Sequence, residues 1–118
     1  MTNLLEETLE IMKKNGQSSE SIDWIGSANS LYQCSWEKFE SLANREYDDG
    51  FGSSKVAKDL VIVFKDSSWL SRGEYDGSEW WDYNKTPVKY DLDETKPINR
   101  LIDRLWPTVA DLNESHSL

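Results

Sequence analysis

The sequence predicts an α+β fold: an antiparallel β-meander of three to five strands packed with N-terminal, middle and C-terminal helices. Three features predict it. The chain opens on an acidic segment with helical periodicity, and its middle holds one short run that is apolar on both faces, DLVIVFK. After that run, Asp76-Gly77 separates two aromatic-rich segments, which is a strong hairpin signal. Six Trp, five Tyr and three Phe supply rings to bury, which answers the hint of disorder in a composition that is 30% charged.

The elements follow in order. Residues 3–14 carry Leu5, Leu9 and Met12 at helical spacing, widened by Leu4 and Ile11, with Glu6, Glu7 and Glu10 toward water. Thr2 is the expected N-cap and Asn15-Gly16 the stop. Residues 21–34, SIDWIGSANSLYQC, read as a short hairpin, with Ile22, Trp24 and Ile25 facing Leu31 and Tyr32. Ser35 opens a second helix in which Trp36, Phe39, Leu42 and Ala43 recur at three-to-four spacing, ending near Tyr47.

Residues 59–65 form the strongest strand, and their double-sided apolarity places it inside the sheet. SSWLSRGEY and SEWWDYN follow as the next two strands. Pro97 then leads INRLIDRLW, a helix with Ile98, Leu101, Ile102 and Leu105 on its apolar face, broken by Pro107. A length of 118 residues is that of one domain, 1–118, with 107–118 as a loosely ordered tail.

Charge and cysteine usage bound the function. A net charge of −9 argues against a surface that tracks phosphates, and permits a basic protein partner. Cys34 stands alone, which suits a reducing compartment. The N-terminus lacks a basic region followed by an apolar run, and no stretch approaches the length of a membrane span. These features predict a cytoplasmic protein.

The Asp76-Gly77 turn sets a register. A two-residue turn pairs Tyr75 with Ser78, Glu74 with Glu79, Gly73 with Trp80 and Arg72 with Trp81. Gly73 then leaves space that Trp80 covers, Arg72 lies on the Trp81 ring, and Leu70 and Tyr83 continue the same face. Glu74 against Glu79 is the anomaly, because facing like charges weaken a sheet. Either the turn is longer than two residues, or the carboxylate pair is kept for a partner.

Chemistry-bearing residues are sparse. Glu74 and Glu79 could be the two carboxylates of a hydrolase, but a deep cleft is hard to build beside a core in so short a chain. Glu46, Asp48 and Asp49 form one acidic turn and Asp76 to Glu79 another; neither has the EF-hand spacing, and turn chemistry favours Asp and Gly without a metal. His116 lies in the tail without a partner. Cys34 precedes a helix N-terminus but has no histidine near it in any expected element. GFGSS matches no phosphate-binding fingerprint.

The run from DWIGS through SWEKFESLA, YDDGFG and DLVIVFKDSSWLSRGEYDGSEWWDYNKTP resembles a family of small proteins carried by phages, prophages and conjugative elements of Gram-positive bacteria. The resemblance spans about residues 20–90. It is most specific at Glu74-Tyr75-Asp76-Gly77-Ser78-Glu79-Trp80-Trp81 and Asp59-Leu60-Val61-Ile62-Val63. It implies an accessory protein of a mobile element and carries over no catalytic residue. In size and acidity such a protein is similar to anti-CRISPR proteins and other inhibitors of host defence.

The expected function is therefore that of a non-enzymatic binding protein without a cofactor, working in the host bacterial cytosol. It would occupy a basic surface of a host protein, such as a Cas nuclease or another nucleic-acid-handling defence effector, without touching nucleic acid or membrane itself. Glu74, Asp76, Glu79 and Asp82 are the expected charges, with Trp80, Trp81 and Tyr83 as anchors. Alternatives are a small metal-binding or hydrolytic domain using the Asp/Glu turns, or a phage structural component. The competing structural account puts the rings in the core and the acids on the solvated side of the strands.

Overall fold

A computed structural model describes residues 1–114, so His116 and the end of the expected tail lie outside the described residues. The chain divides into two compact units, residues 1–86 and the segment from Pro87 onward.

In the first unit a five-stranded antiparallel sheet has the order β3-β2-β5-β6-β7. Its strands are β2 (Ile22–Ser27), β3 (Gln33–Cys34), β5 (Leu60–Phe64), β6 (Trp69–Tyr75) and β7 (Ser78–Asn84). A separate two-stranded ribbon joins β1 (Thr2–Asn3) to β4 (Glu46–Tyr47). The helices α1 (Leu4–Lys14) and α2 (Trp36–Ala43) supply Met12, Phe39 and Ala43 to one core, where they meet Ile25, Ile62, Phe64, Leu70 and Trp81 of the sheet. Both helices therefore cover the same sheet face. The expected α+β meander is present, with β5 in its interior between β2 and β6.

Several local expectations shift by a few residues. Asn3 and not Thr2 caps α1, its side chain accepting from the Glu6 amide, because the helix begins at Leu4, directly after the Thr2–Asn3 pairing with Glu46 and Tyr47. Thr8 and Met12 are the buried residues of α1, while Leu9 is 44% exposed. Ser35 caps α2 as expected, but the helix stops at Ala43, since Glu46 and Tyr47 pair with the N-terminal strand. The return strand of the first hairpin is Gln33–Cys34, and Leu31 and Tyr32 project into solvent.

The second unit departs furthest from expectation. No helix forms over 98–106; an α-helix, α3 (Val109–Asn113), lies beyond Pro107 instead. It is closed by a capping box between Thr108 and Asp111. The physical reason is the lack of a covering surface, since a helix this short needs its apolar face packed to persist. Nine residues between two prolines fall below the roughly 12–15 that an isolated helix needs, and the expected apolar face stays exposed, from 58% at Ile98 to 99% at Leu105. Local bonds win: Asn113 Oδ1 accepts from the amides of Asn99 and Arg100 at 2.7 and 2.9 Å. The stretch expected as a loosely ordered tail thus contains a capped helix in its described part.

Candidate functional site

The β6–β7 hairpin carries all seven residues expected to meet a partner, and its register is the one the Asp76-Gly77 turn predicts, from Tyr75 against Ser78 to Arg72 against Trp81. Asp76 and Gly77 have φ of 50° and 87°, as a two-residue type I′ turn requires. The turn is thus not lengthened, and the facing glutamates need another explanation.

Glu79 provides it. Its side chain is 2% exposed. One carboxylate oxygen accepts the Lys55 amide at 2.6 Å, the other the Val56 amide at 3.1 Å, and Arg72 Nη2 lies 3.0 Å from the second. Burial opposes the charge of Glu79, but those two amides and the guanidinium outweigh it and hold its pKa below the ordinary glutamate value. The pair with Glu74 is tolerated because this chain has already neutralised one member. Glu79 is held inside the fold by this chain's own donors, which corrects its expected place among the exposed charges.

Arg72 is the hub of that network. Its side chain is 4% exposed and pairs with Glu7 at 3.2 Å as well as with Glu79. Nη2 also donates to the Tyr47 hydroxyl at 3.1 Å, and the Tyr47 hydroxyl donates to Glu7 at 2.7 Å. The guanidinium carbon sits 4.8 Å from the Trp81 ring centroid, the stacking expected from the register. Burial first, then the Glu7 carboxylate, pushes the Tyr47 hydroxyl up to about 12. Glu7 thus faces Arg72 rather than water, so the network ties α1, β4, β6, β7 and the loop before β5 together.

Two of the expected anchors are also internal. Trp81 is 5% exposed, and its Nε1 donates to Thr8 Oγ1 on α1 at 2.9 Å. Tyr83 is half-buried beside Phe64; its hydroxyl donates to Ser68 and accepts from Gln17. Both side chains lie on the face the helices cover and are engaged by this chain's own groups. The structural account holds for Glu79, Trp81 and Tyr83.

Glu74, Asp76, Trp80 and Asp82 are exposed. They do not share one face. Strand alternation puts Trp80 and Asp82 on the side away from the helices, Glu74 on the side of Arg72, and Asp76 at the tip. The Trp80 indole lies over Gly73, where an added Cβ would stand 2.7 Å from Nε1 and 2.5 Å from an Asp82 oxygen. Nε1 donates to Asp82 Oδ1 at 2.9 Å, so ring and carboxylate are fixed together. Tyr75, 76% exposed, belongs to this same face but was not among the expected anchors. Its odd-numbered position opposite Ser78, in phase with Gly73, is the signal that places it there. Among the described residues, no Lys or Arg forms an ion pair with Glu74, Asp76 or Asp82.

The two acidic turns do come near each other, since the Glu79 amide donates to the Asp49 carbonyl at 2.9 Å. Among the described residues, no three His, Cys, Asp or Glu side chains are grouped to hold a metal ion. Burial pushes the Cys34 thiol up, the wrong direction for a nucleophile. No helix among the described residues is long and apolar enough to cross a membrane. No family profile, curated protein or solved structure matches the chain.

Proposed function

We propose that this chain is a non-enzymatic, acidic binding protein of a phage or other mobile element, acting in the host cytoplasm as an anti-CRISPR-like inhibitor. It docks the tip and outer face of the β6–β7 hairpin on a basic surface of a host defence effector, such as a Cas nuclease. The observation that carries this reading is the division of labour among the hairpin acids. Glu79 is consumed by Arg72 and two backbone amides, whereas Glu74, Asp76 and Asp82 are exposed and, among the described residues, form no ion pair with a Lys or Arg. Trp80, 38% exposed and locked to Asp82, gives those charges a rigid aromatic neighbour. The net charge of −9 favours a basic partner, and the EYDGSEWW resemblance supports the mobile-element context alone.

A metal-dependent or hydrolytic role has no comparable support, because its acid Glu79 is ion-paired inside the fold. The test is affinity capture from the host followed by direct titration of the recovered protein. Glu74→Lys with Asp76→Lys, and separately Trp80→Ala, are expected to weaken binding at least about tenfold, the scale of losing interfacial charge or an aromatic anchor. Binding that survives all of these changes, or a recovered partner with an acidic surface, refutes the reading.

A further inference from the structure

The five-stranded sheet ends on two unlike edges. β3 offers two residues, Gln33–Cys34, too few to template another strand. β7 spans seven, Ser78–Asn84, in unbroken register with β6 and without a proline; its charges, Glu79 and Asp82, are both acidic, so they guard it against a like-charged strand and not against a basic one. Natural sheets usually shorten, charge or cover such an edge. In a two-residue hairpin Tyr75 and Ser78 exchange both backbone bonds, so Trp80, Asp82 and Asn84 are bonded to β6. The peptide groups of Glu79, Trp81 and Tyr83 consequently point away from it. The outward Glu79 amide, bonded to the Asp49 carbonyl, fixes that phase. Among the described residues, no hydrogen-bond partner meets the backbone N–H or C=O of Trp81 or Tyr83.

Beside this edge runs a groove of about 250 Å³, with Glu7, Glu10, Ile11 and Lys14 of α1 on one wall and Trp80 and Trp81 on the other. An exposed sheet edge is where an extended peptide can be added as a further strand, its alternate side chains taken up by neighbouring pockets. We propose that β7 accepts one further strand, an extended Lys- or Arg-bearing segment of the partner, in the groove between β7 and α1. Its backbone takes up the free groups of Trp81 and Tyr83. Alternate side chains then fall on two sides, one toward Glu10 and Ile11, the other toward Trp80 and Asp82. Charge selects this occupant over a second copy of the chain: a copy would bring its own Glu10 and Asp82, and a further −9, against the same acids.

This inference rests on the reading of the protein as a binder of a basic partner and adds how the partner is held. The probe is a capped peptide of about eight residues alternating Val and Lys, long enough to span a typical strand, titrated into the full-length 15N-labelled protein. The Trp81 and Tyr83 amide protons are expected to move downfield and to exchange at least about tenfold more slowly, while Trp80 and Asp82, already bonded to β6, stay unchanged. Glu10→Lys is expected to weaken the peptide about three- to tenfold, and a Val/Glu peptide of equal length not to bind. Unresponsive Trp81 and Tyr83 amides, or equal binding of the Val/Glu peptide, overturns the proposal. So does a dimer in sedimentation whose Trp81 and Tyr83 amides are protected without peptide. The two readings fail separately. If Glu74→Lys with Asp76→Lys abolishes partner capture but the edge amides ignore the peptide, docking stands and strand addition falls. If the amides respond and capture is indifferent to those changes, the reverse holds.

Discussion

Single residues decide which hairpin acids are internal and which face water. Arg72 and Glu79 are worth most in this respect, because each is the other's buried counter-charge. Arg72→Met leaves the Glu79 and Glu7 carboxylates without their cation and is expected to cost about 3–5 kcal/mol in urea unfolding, the usual penalty for breaking a buried pair. The pH dependence follows from the direction of the Glu79 shift. A carboxylate whose folded pKa is depressed contributes stability above its unfolded value, about 4.3, and loses it as pH falls through the lower folded value. The protein is therefore expected to lose stability on acidification below about pH 4.3, with a shallower loss in Glu79→Gln; parallel slopes for the two proteins would refute it. Gly73 is the second telling residue. Gly73→Ala places a methyl where the Trp80 indole and Asp82 carboxylate lie, so Trp80 is expected to swing off the strand, with a red-shifted emission and about 1 kcal/mol lost.

Elements are joined by a few long-range polar contacts. Helix α1 is tied to the sheet by the buried bond from Trp81 Nε1 to Thr8 Oγ1, across 73 positions of sequence. Thr8→Val keeps the shape and removes the acceptor, stranding a buried indole N–H; about 1–3 kcal/mol of destabilisation is expected by chemical denaturation. The hairpin itself was readable from sequence. A two-residue turn fixes register, and period-two alternation then fixes which residues face each other, so Arg72 on Trp81 and Gly73 under Trp80 both follow from the sequence. The burial of Glu79 was not, because its amide partners Lys55 and Val56 sit in an irregular loop with no pattern of its own. The expected helix over 98–106 failed for a related reason: periodicity shows which side chains could share a face but not whether anything covers it.

At the scale of the whole molecule, every residue of the main core cluster comes from the first unit. A chain ending at Thr86 is accordingly expected to retain a cooperative melting transition and the near-ultraviolet signal of its buried Trp81. A molten, non-cooperative product would show that the core needs residues beyond 86. By itself, the sequence determined the α+β class, the meander, the hairpin register and the excess of acid, because each rests on local periodicity, turn chemistry or simple charge. Tertiary structure alone decided which acids stay exposed and which are paired within the chain, because a carboxylate is neutralised by whatever the fold brings within hydrogen-bonding distance. For Glu79 that was an arginine seven residues away and two amides more than twenty away, and for Asp82 an indole two residues away that leaves its charge intact.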